Sequence, residues 1–194
     1  MNFIFRITLL SILIFNCLLS QELIIQEEET GFCFVDGIIQ TDTEGYTGNG
    51  YANPDAGIGV SMAWNIMAES ADTCYLRWRY ALGGSIGDRP AKLLINGMVA
   101  IDTVEFAHTE TWTNWTITDS IGVYFAQGSN NIRIEAYSVS GLANYDYISI
   151  IGSGIVASEC NNFYTLNIDK NINEAGVLPS TKIFINLLTF RTYH

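Results

Sequence analysis

The chain has 194 residues, the size of one domain with extensions. Only 15% of them are charged, against roughly 25% in an average soluble protein, and they divide into 20 acids and 9 bases for a net charge of −11. That balance excludes a charge-rich disordered tail or a long solvated helix, and it argues against a nucleic-acid partner, whose phosphates need a basic face. No Lys or Arg occurs between Arg6 and Arg77, whereas Glu22, Glu27, Glu28, Glu29, Asp36, Asp42, Glu44, Asp55, Glu69 and Asp72 all fall in that stretch. Two readings are open: a solvated acidic surface, or oxygens that in part hold a hard cation such as calcium.

Residues 1–20 read as a secretory signal: Arg6, an apolar run from Ile7 to Leu19, then Ser20 before Gln21. The run of 13 residues is shorter than the roughly 20 that span a bilayer. Secretion leaves Cys33, Cys74 and Cys160 in a compartment that permits disulfides, without the CxxC half-sites of structural zinc. The expected bridge is Cys33 to Cys74, both in predicted strands; the alternative is three buried thiols.

Beyond the signal the pattern is β. Runs at 23–27 and 32–39 come first. Ile58, Val60, Met62, Trp64 and Ile66 then alternate with Gly59, Ser61, Ala63 and Asn65, predicting a strand with one apolar and one small or polar face. Leu76, Trp78 and Tyr80 alternate with Arg77 and Arg79 in the same way. Residues 92–95 and 98–101 flank Asn96-Gly97, the dipeptide that suits the positive φ angles of a two-residue hairpin turn. Runs at 115–118 and 121–125 follow, then Ile132, Ile134 and Ala136 against Arg133 and Glu135, then 145–151. About nine or ten short strands with turns at roughly ten-residue spacing predict an all-β antiparallel sandwich or barrel. Gly152-Ser153-Gly154 reads as the domain edge, so the expected sandwich is 21–152. Residues 153–194 read as a linker or the start of a further module.

Catalysis has little to rest on. The mature chain has His108 and the terminal His194 alone, and phosphate loops, HExxH and EF-hand patterns are absent. What stands out is the aromatic and amide content of the predicted loops: Tyr46, Tyr51 and Asn53, then Trp112 and Trp115, then Asn144 and Tyr145. Sugars offer CH faces that stack on rings and hydroxyls that need planar amide or charged partners. The competing reading packs these rings into the core, with Trp115 and Tyr51 its first members.

Taken in order, Ile25-Gln26-Glu27-Glu28, the run from Gly45 through Tyr46 and Tyr51 to Asn53, Arg79-Tyr80-Ala81, Asp88-Arg89-Pro90, Leu94-Ile95-Asn96-Gly97, Thr111-Trp112-Thr113-Asn114-Trp115, the run from Gly128 to Arg133 and the run from Leu142 to Ile148 resemble carbohydrate-binding module family 35 and its relative family 6. The match covers about residues 22 to 152. The resemblance implies a β-sandwich jelly roll, attached in relatives to secreted bacterial enzymes that degrade plant polysaccharides, pectate lyases among them. It implies a structural calcium with side-chain ligands at Gln26, Glu28 and Asp146, completed by backbone carbonyls. It also implies a sugar site in the loops at one end, where Tyr46 and Trp112 stack and Asn144 binds hydroxyls. Asn53, Asp55 and Arg89 are the positions for a uronic acid and a second calcium, and Arg89 suits a carboxylate because its guanidinium pairs bidentately. Glu110 stands where the family has glycine before the first Trp, and it adds a negative charge beside the site.

The expected function is therefore a secreted, noncatalytic module that binds plant cell-wall polysaccharide, pectic or xylan-type, and holds an attached or partner enzyme on it. The alternatives are a structural or adhesive surface sandwich without a sugar site, and part of a polysaccharide lyase.

Overall fold

A computed structural model describes residues 20–84 and 87–160. The signal segment through residue 19 and the tail beyond Cys160 lie outside the described residues. Among the described residues thirteen strands form two antiparallel sheets packed face to face. The first sheet runs β10 (Ile121–Phe125), β6 (Asp72–Ala81), β12 (Asn144–Gly152), β4 (Tyr51–Pro54), β3 (Gly37–Gln40), with β1 (Gln21–Gln26) also on β12 and β9 (Thr116–Ile117) also on β6. The second runs β13 (Ile155–Ala157), β5 (Ser61–Ala68), β11 (Gly128–Ala136), β7 (Ala91–Ile95), β8 (Met98–Val104), with β2 (Phe32–Val35) also on β5. The expected all-β sandwich is thus present, and among the described residues no helix is long and apolar enough to cross a membrane.

Alternation sets which side chains meet between the sheets. Cys74, Leu76, Trp78 and Tyr80 of β6 are buried, as are Ile132, Ile134 and Ala136 of β11. A line of rings crosses the interior: Trp64 to Trp78 at 6.3 Å between centroids, Trp78 to Phe106 at 5.9 Å, then Phe106 edge-on to both Tyr80 and Tyr145 at 5.1 Å. Each such burial is worth about 1.5–3 kcal/mol before entropy, and edge-on pairs add about 0.5–1.5 kcal/mol. Anchoring Tyr145 in this line directs its chain neighbours, Asn144 and Asp146, to the opposite face, and a register shift between Tyr145 and Tyr147 re-aims the chain at that point. Asn96 and Gly97 adopt φ of 53° and 79° at the β7–β8 hairpin, as their types predict.

Five expectations change. The run 32–39 is two strands in different sheets: at Asp36 the chain crosses over, and its carboxylate takes hydrogen bonds from the Ser61 amide (3.0 Å) and hydroxyl (2.9 Å). The strand expected from Ile58 begins at Ser61; Ile58 is 71% exposed. The polar side of that strand is buried too: the Ser61 hydroxyl is bonded to Asp36 and the Asn65 amide is covered, donating to the Glu159 carbonyl at 3.2 Å. The disulfide joins Cys33 to Cys160, not to Cys74, with Cα atoms 5.3 Å apart across 127 residues; Cys74 points into the core as a free thiol against Gly152. The chain therefore continues past Gly152 in the same sandwich, through β13 on β5 and the bridge at Cys160.

Candidate functional site

Trp112 stands on a loop between β8 and β9 that is tied down from within. Buried Thr109 exchanges bonds with Leu82, its amide donating to the Leu82 carbonyl and the Leu82 amide to its hydroxyl, both at 2.8 Å. The Asn114 side-chain amide donates to the Thr109 carbonyl at 2.9 Å. Gly83 passes so close that a Cβ there would lie 2.3 Å from the Trp112 nitrogen, so only glycine admits this approach. Glu110, exposed, holds φ of 70° at the bend. The His108 imidazole sits 2.7 Å from the Gly84 carbonyl and its amide donates to Asp88, so this histidine braces the same loop.

Arg89 lies over the half-buried indole, its guanidinium carbon 5.5 Å from the ring centroid. Nη1 donates to the Leu142 carbonyl at 2.6 Å, while Nε is buried without a partner. Asp88 is engaged by His108, and Arg89 forms no ion pair among the described residues. Burial lowers its pKa from the ordinary value, the mark of a cation held without a counter-charge. Two residues beyond Leu142, Asn144 is 6% exposed and its side-chain amide makes no hydrogen bond among the described residues.

The other sequence-predicted residues adjoin this group. The antiparallel pairing of Tyr145 with Ala52 sets Asn53 beside Asn144 one residue on. Asn53 Nδ2 donates to Gln40 Oε1 at 2.6 Å, and the same oxygen is 3.1 Å from the Tyr51 hydroxyl. Tyr51 is buried, yet beneath the loops rather than between the sheets; it donates to Asp42 at 2.6 Å and packs on Tyr46 at 5.7 Å. Trp115, expected in the core, is half-buried on the rim, edge-on to Tyr51 at 5.4 Å, with Arg79 over its ring at 5.6 Å. Tyr46 and Trp112 are both half-buried, the state that leaves a ring edge or face for a ligand.

At the start of β12 a second group forms around Asp146. Its carboxylate accepts from the Thr47 amide (2.8 Å) and hydroxyl (2.9 Å) and is paired with Arg79. Gln26 Nε2 reaches Thr47 Oγ1 at 2.7 Å. Glu28, a ligand by the resemblance, is exposed on the turn after β1 with φ of 61°. The carboxylate that is buried instead is Glu27, 4% exposed, with both oxygens lacking a hydrogen-bond partner. Burial, and secondarily the charge of Asp146, push its pKa up to about 7; the amides of Asn49 and Gly50 offset part of this without reaching hydrogen-bond geometry. Among the described residues no three His, Cys, Asp or Glu side chains converge as a metal cluster, so any ion here needs carbonyl oxygens as well. Asp55 is exposed just beyond β4.

Sequence reasoning missed Glu27, Arg79 and the unpaired state of Arg89. Only Glu27 left a signal, an acid flanked by two proposed ligands.

No family model matches the chain. A solved family 35 carbohydrate-binding module from Cellvibrio japonicus is 36% identical, with a TM-score of 0.69, and the match covers 72% of this chain and 99% of that one. This chain belongs to carbohydrate-binding module family 35. A second family 35 module, solved in complex with a disaccharide containing glucuronic acid, is 37% identical with a TM-score of 0.67 over 71% of this chain and 99% of that one. Among curated proteins, endo-1,4-β-xylanase B and α-L-arabinofuranosidase C of Cellvibrio japonicus are each 38% identical over 141 residues. The module matches 23% and 22% of their lengths, so it spans under a quarter of these relatives.

Proposed function

We propose that this module binds uronic-acid-bearing plant cell-wall polysaccharide, glucuronic-acid-substituted xylan first and pectin second, and acts without catalysis by tethering a secreted polysaccharide-degrading enzyme to it. The observation that carries the reading is Arg89: a half-buried guanidinium, stacked on Trp112 and, among the described residues, without a carboxylate partner, bonded to the Leu142 carbonyl two residues before the buried Asn144. A sugar carboxylate supplies the missing counter-charge, the indole takes a CH face and Asn144 takes hydroxyls. Tyr46 and Asn53 border the same end. The similar module solved with a glucuronic-acid-containing disaccharide supports this choice of sugar.

A calcium fits the Glu27–Asp146 group. Two orphaned, buried carboxylate oxygens beside a second carboxylate call for a cation, and hard oxygens suit calcium. Glu27 and Asp146, with the Gln26 carbonyl oxygen and backbone carbonyls, would hold it; the ion supplies charge balance and fixes β1 against the loop that carries Tyr46 and Thr47. Glu28 remains available only to the exposed side, and Asp55 with Asn53 is the place for a second ion near the sugar.

Affinity electrophoresis tests the binding. Retardation by glucuronoxylan or pectin, lost in Trp112→Ala, Asn144→Ala and Arg89→Gln, is expected; equal mobility with and without every acidic glycan overturns the reading. Liberation of unsaturated uronates from pectin by the isolated chain would show a lyase instead.

A further inference from the structure

On β6 the residues between the core positions point outward in a line: Thr73, Tyr75, Arg77 and Arg79. Tyr75 is 50% exposed and Tyr124 of neighbouring β10 is 65% exposed. The register pairs Tyr75 with Gly122 and Tyr124 with Thr73, which puts the two tyrosines diagonally adjacent on one face, within reach of each other. Glycine at 122 leaves room for the Tyr75 ring, which passes across it: a Cβ there would touch the ring at 3.5 Å. The line then leads to the site already described, because Arg79 donates to the Gly45 carbonyl at 2.9 Å and covers Trp115, which packs on Tyr51 and so on Tyr46. From Tyr75 to Arg79 is roughly 13 Å along the strand, long enough to follow a polymer beyond its first sugar.

We propose that this face, Tyr124 and Tyr75 leading through Arg77 to Arg79, is a second contact surface for the same polysaccharide chain whose uronic acid is held at Arg89 and Trp112, an extension that rests on that reading. Arg77, with its loose 3.4 Å pair to Glu22, lies in the middle of this face and supplies a positive charge that a uronic-acid-bearing chain complements. Exposed tyrosines beside Arg77 suit a hydrated chain that needs rings for CH faces and a donor for hydroxyls or carboxylates, while Arg79, already bonded, joins the face to the loops. The contacts are individually weak and act by raising the effective concentration of polymer already held at the loops.

The test compares a polymer with a short ligand on the full chain. Binding to glucuronoxylan and to a glucuronic-acid-containing disaccharide is measured for the native protein and for the double variant Tyr75→Ala, Tyr124→Ala. The expected result is a loss of about tenfold on the polymer and no change on the disaccharide. As a readout independent of folding, hydroxyl-radical labelling of Tyr75 and Tyr124 in the native chain should fall with polymer and not with disaccharide. Unchanged polymer affinity and unchanged labelling overturn the proposal while leaving the loop site standing. A native chain that binds neither probe overturns the loop site and this extension with it.

Discussion

The Arg89 guanidinium lies 5.5 Å above the Trp112 ring centroid and donates to the Leu142 carbonyl, with no carboxylate completing the set among the described residues. Placing a cation there costs desolvation that the fold only partly repays through the indole face and one carbonyl. A bound uronate completes the pairing, and a hydrogen bond to a charged group is worth about 1.5–3 kcal/mol. Arg89→Gln should therefore weaken binding of glucuronic-acid-containing oligosaccharides by roughly tenfold to a hundredfold. Arg89→Lys should recover little of it, because an ammonium cannot make the two parallel bonds of a guanidinium. Calorimetry on both variants, with melting temperature as a control, measures this; full affinity in the glutamine variant would assign the uronate elsewhere.

Glu110, two residues before Trp112, places both a strained backbone and a negative charge on the loop that carries that indole. Its φ of 70° is one that glycine adopts freely, and its exposed carboxylate opposes a uronate. Glu110→Gly should raise stability by up to about 1 kcal/mol, the left-handed strain outweighing glycine's chain entropy. The same variant should tighten uronate binding, most visibly at low salt, since screening over about 10 Å at 0.1 M erodes an exposed charge effect. Titrations at two ionic strengths check both halves.

The bridge from Cys33 to Cys160 closes 127 residues of sequence, so reduction releases nearly the whole described domain. Loss of a native bridge of this kind costs about 2–5 kcal/mol. The denaturation midpoint should fall in reducing agent for the native chain and not for Cys160→Ser, which should already be lowered. Cys74 is buried and free; burial raises its pKa as well, so it should resist thiol reagents until the protein unfolds.

How far the sequence carried depends on whether the deciding interaction is periodic. Alternation placed Leu76, Trp78 and Tyr80 inside and the Asn96-Gly97 turn at the hairpin, because side-chain direction and φ preference are local properties. Trp112 and Arg89 were singled out by resemblance, and the fold brings the guanidinium over the indole. Local turns and long-range pairing were less legible. The resemblance implies Glu28 as a ligand; the chain takes a positive φ there and leaves Glu28 exposed, whereas Glu27 is buried. Cys74 and Cys160 could not be told apart by position along the chain, since the choice rests on β13 returning beside β5. Trp115 reads as core by its type, yet the loop carries it to the rim, where its Nε1 donates to the Glu44 carbonyl at 2.9 Å.

Glu27 gives the protein a pH dependence that calcium should remove. Its pKa is near 7 in the fold against 4.5 in the unfolded chain. Between those values the folded state holds a proton that the unfolded state has lost. Stability of the metal-free protein is therefore highest below pH 4.5 as far as this group is concerned, and it declines as pH rises toward 7 by up to about 3 kcal/mol. The cost of desolvation and of repulsion by Asp146 belongs to the ionised form, so a divalent ion that pairs with both Glu27 and Asp146 replaces the proton and restores the loss; its affinity should climb with pH through 7. In chelator, melting temperature should fall from pH 5 to pH 8, and millimolar calcium should flatten the profile. Glu27→Gln, neutral and of the same shape, should be more stable than the native chain in chelator at pH 8 and indifferent to calcium. An identical pH slope in the glutamine variant would show that the dependence arises from another group, and a calcium response that persists in it would move the ion away from Glu27.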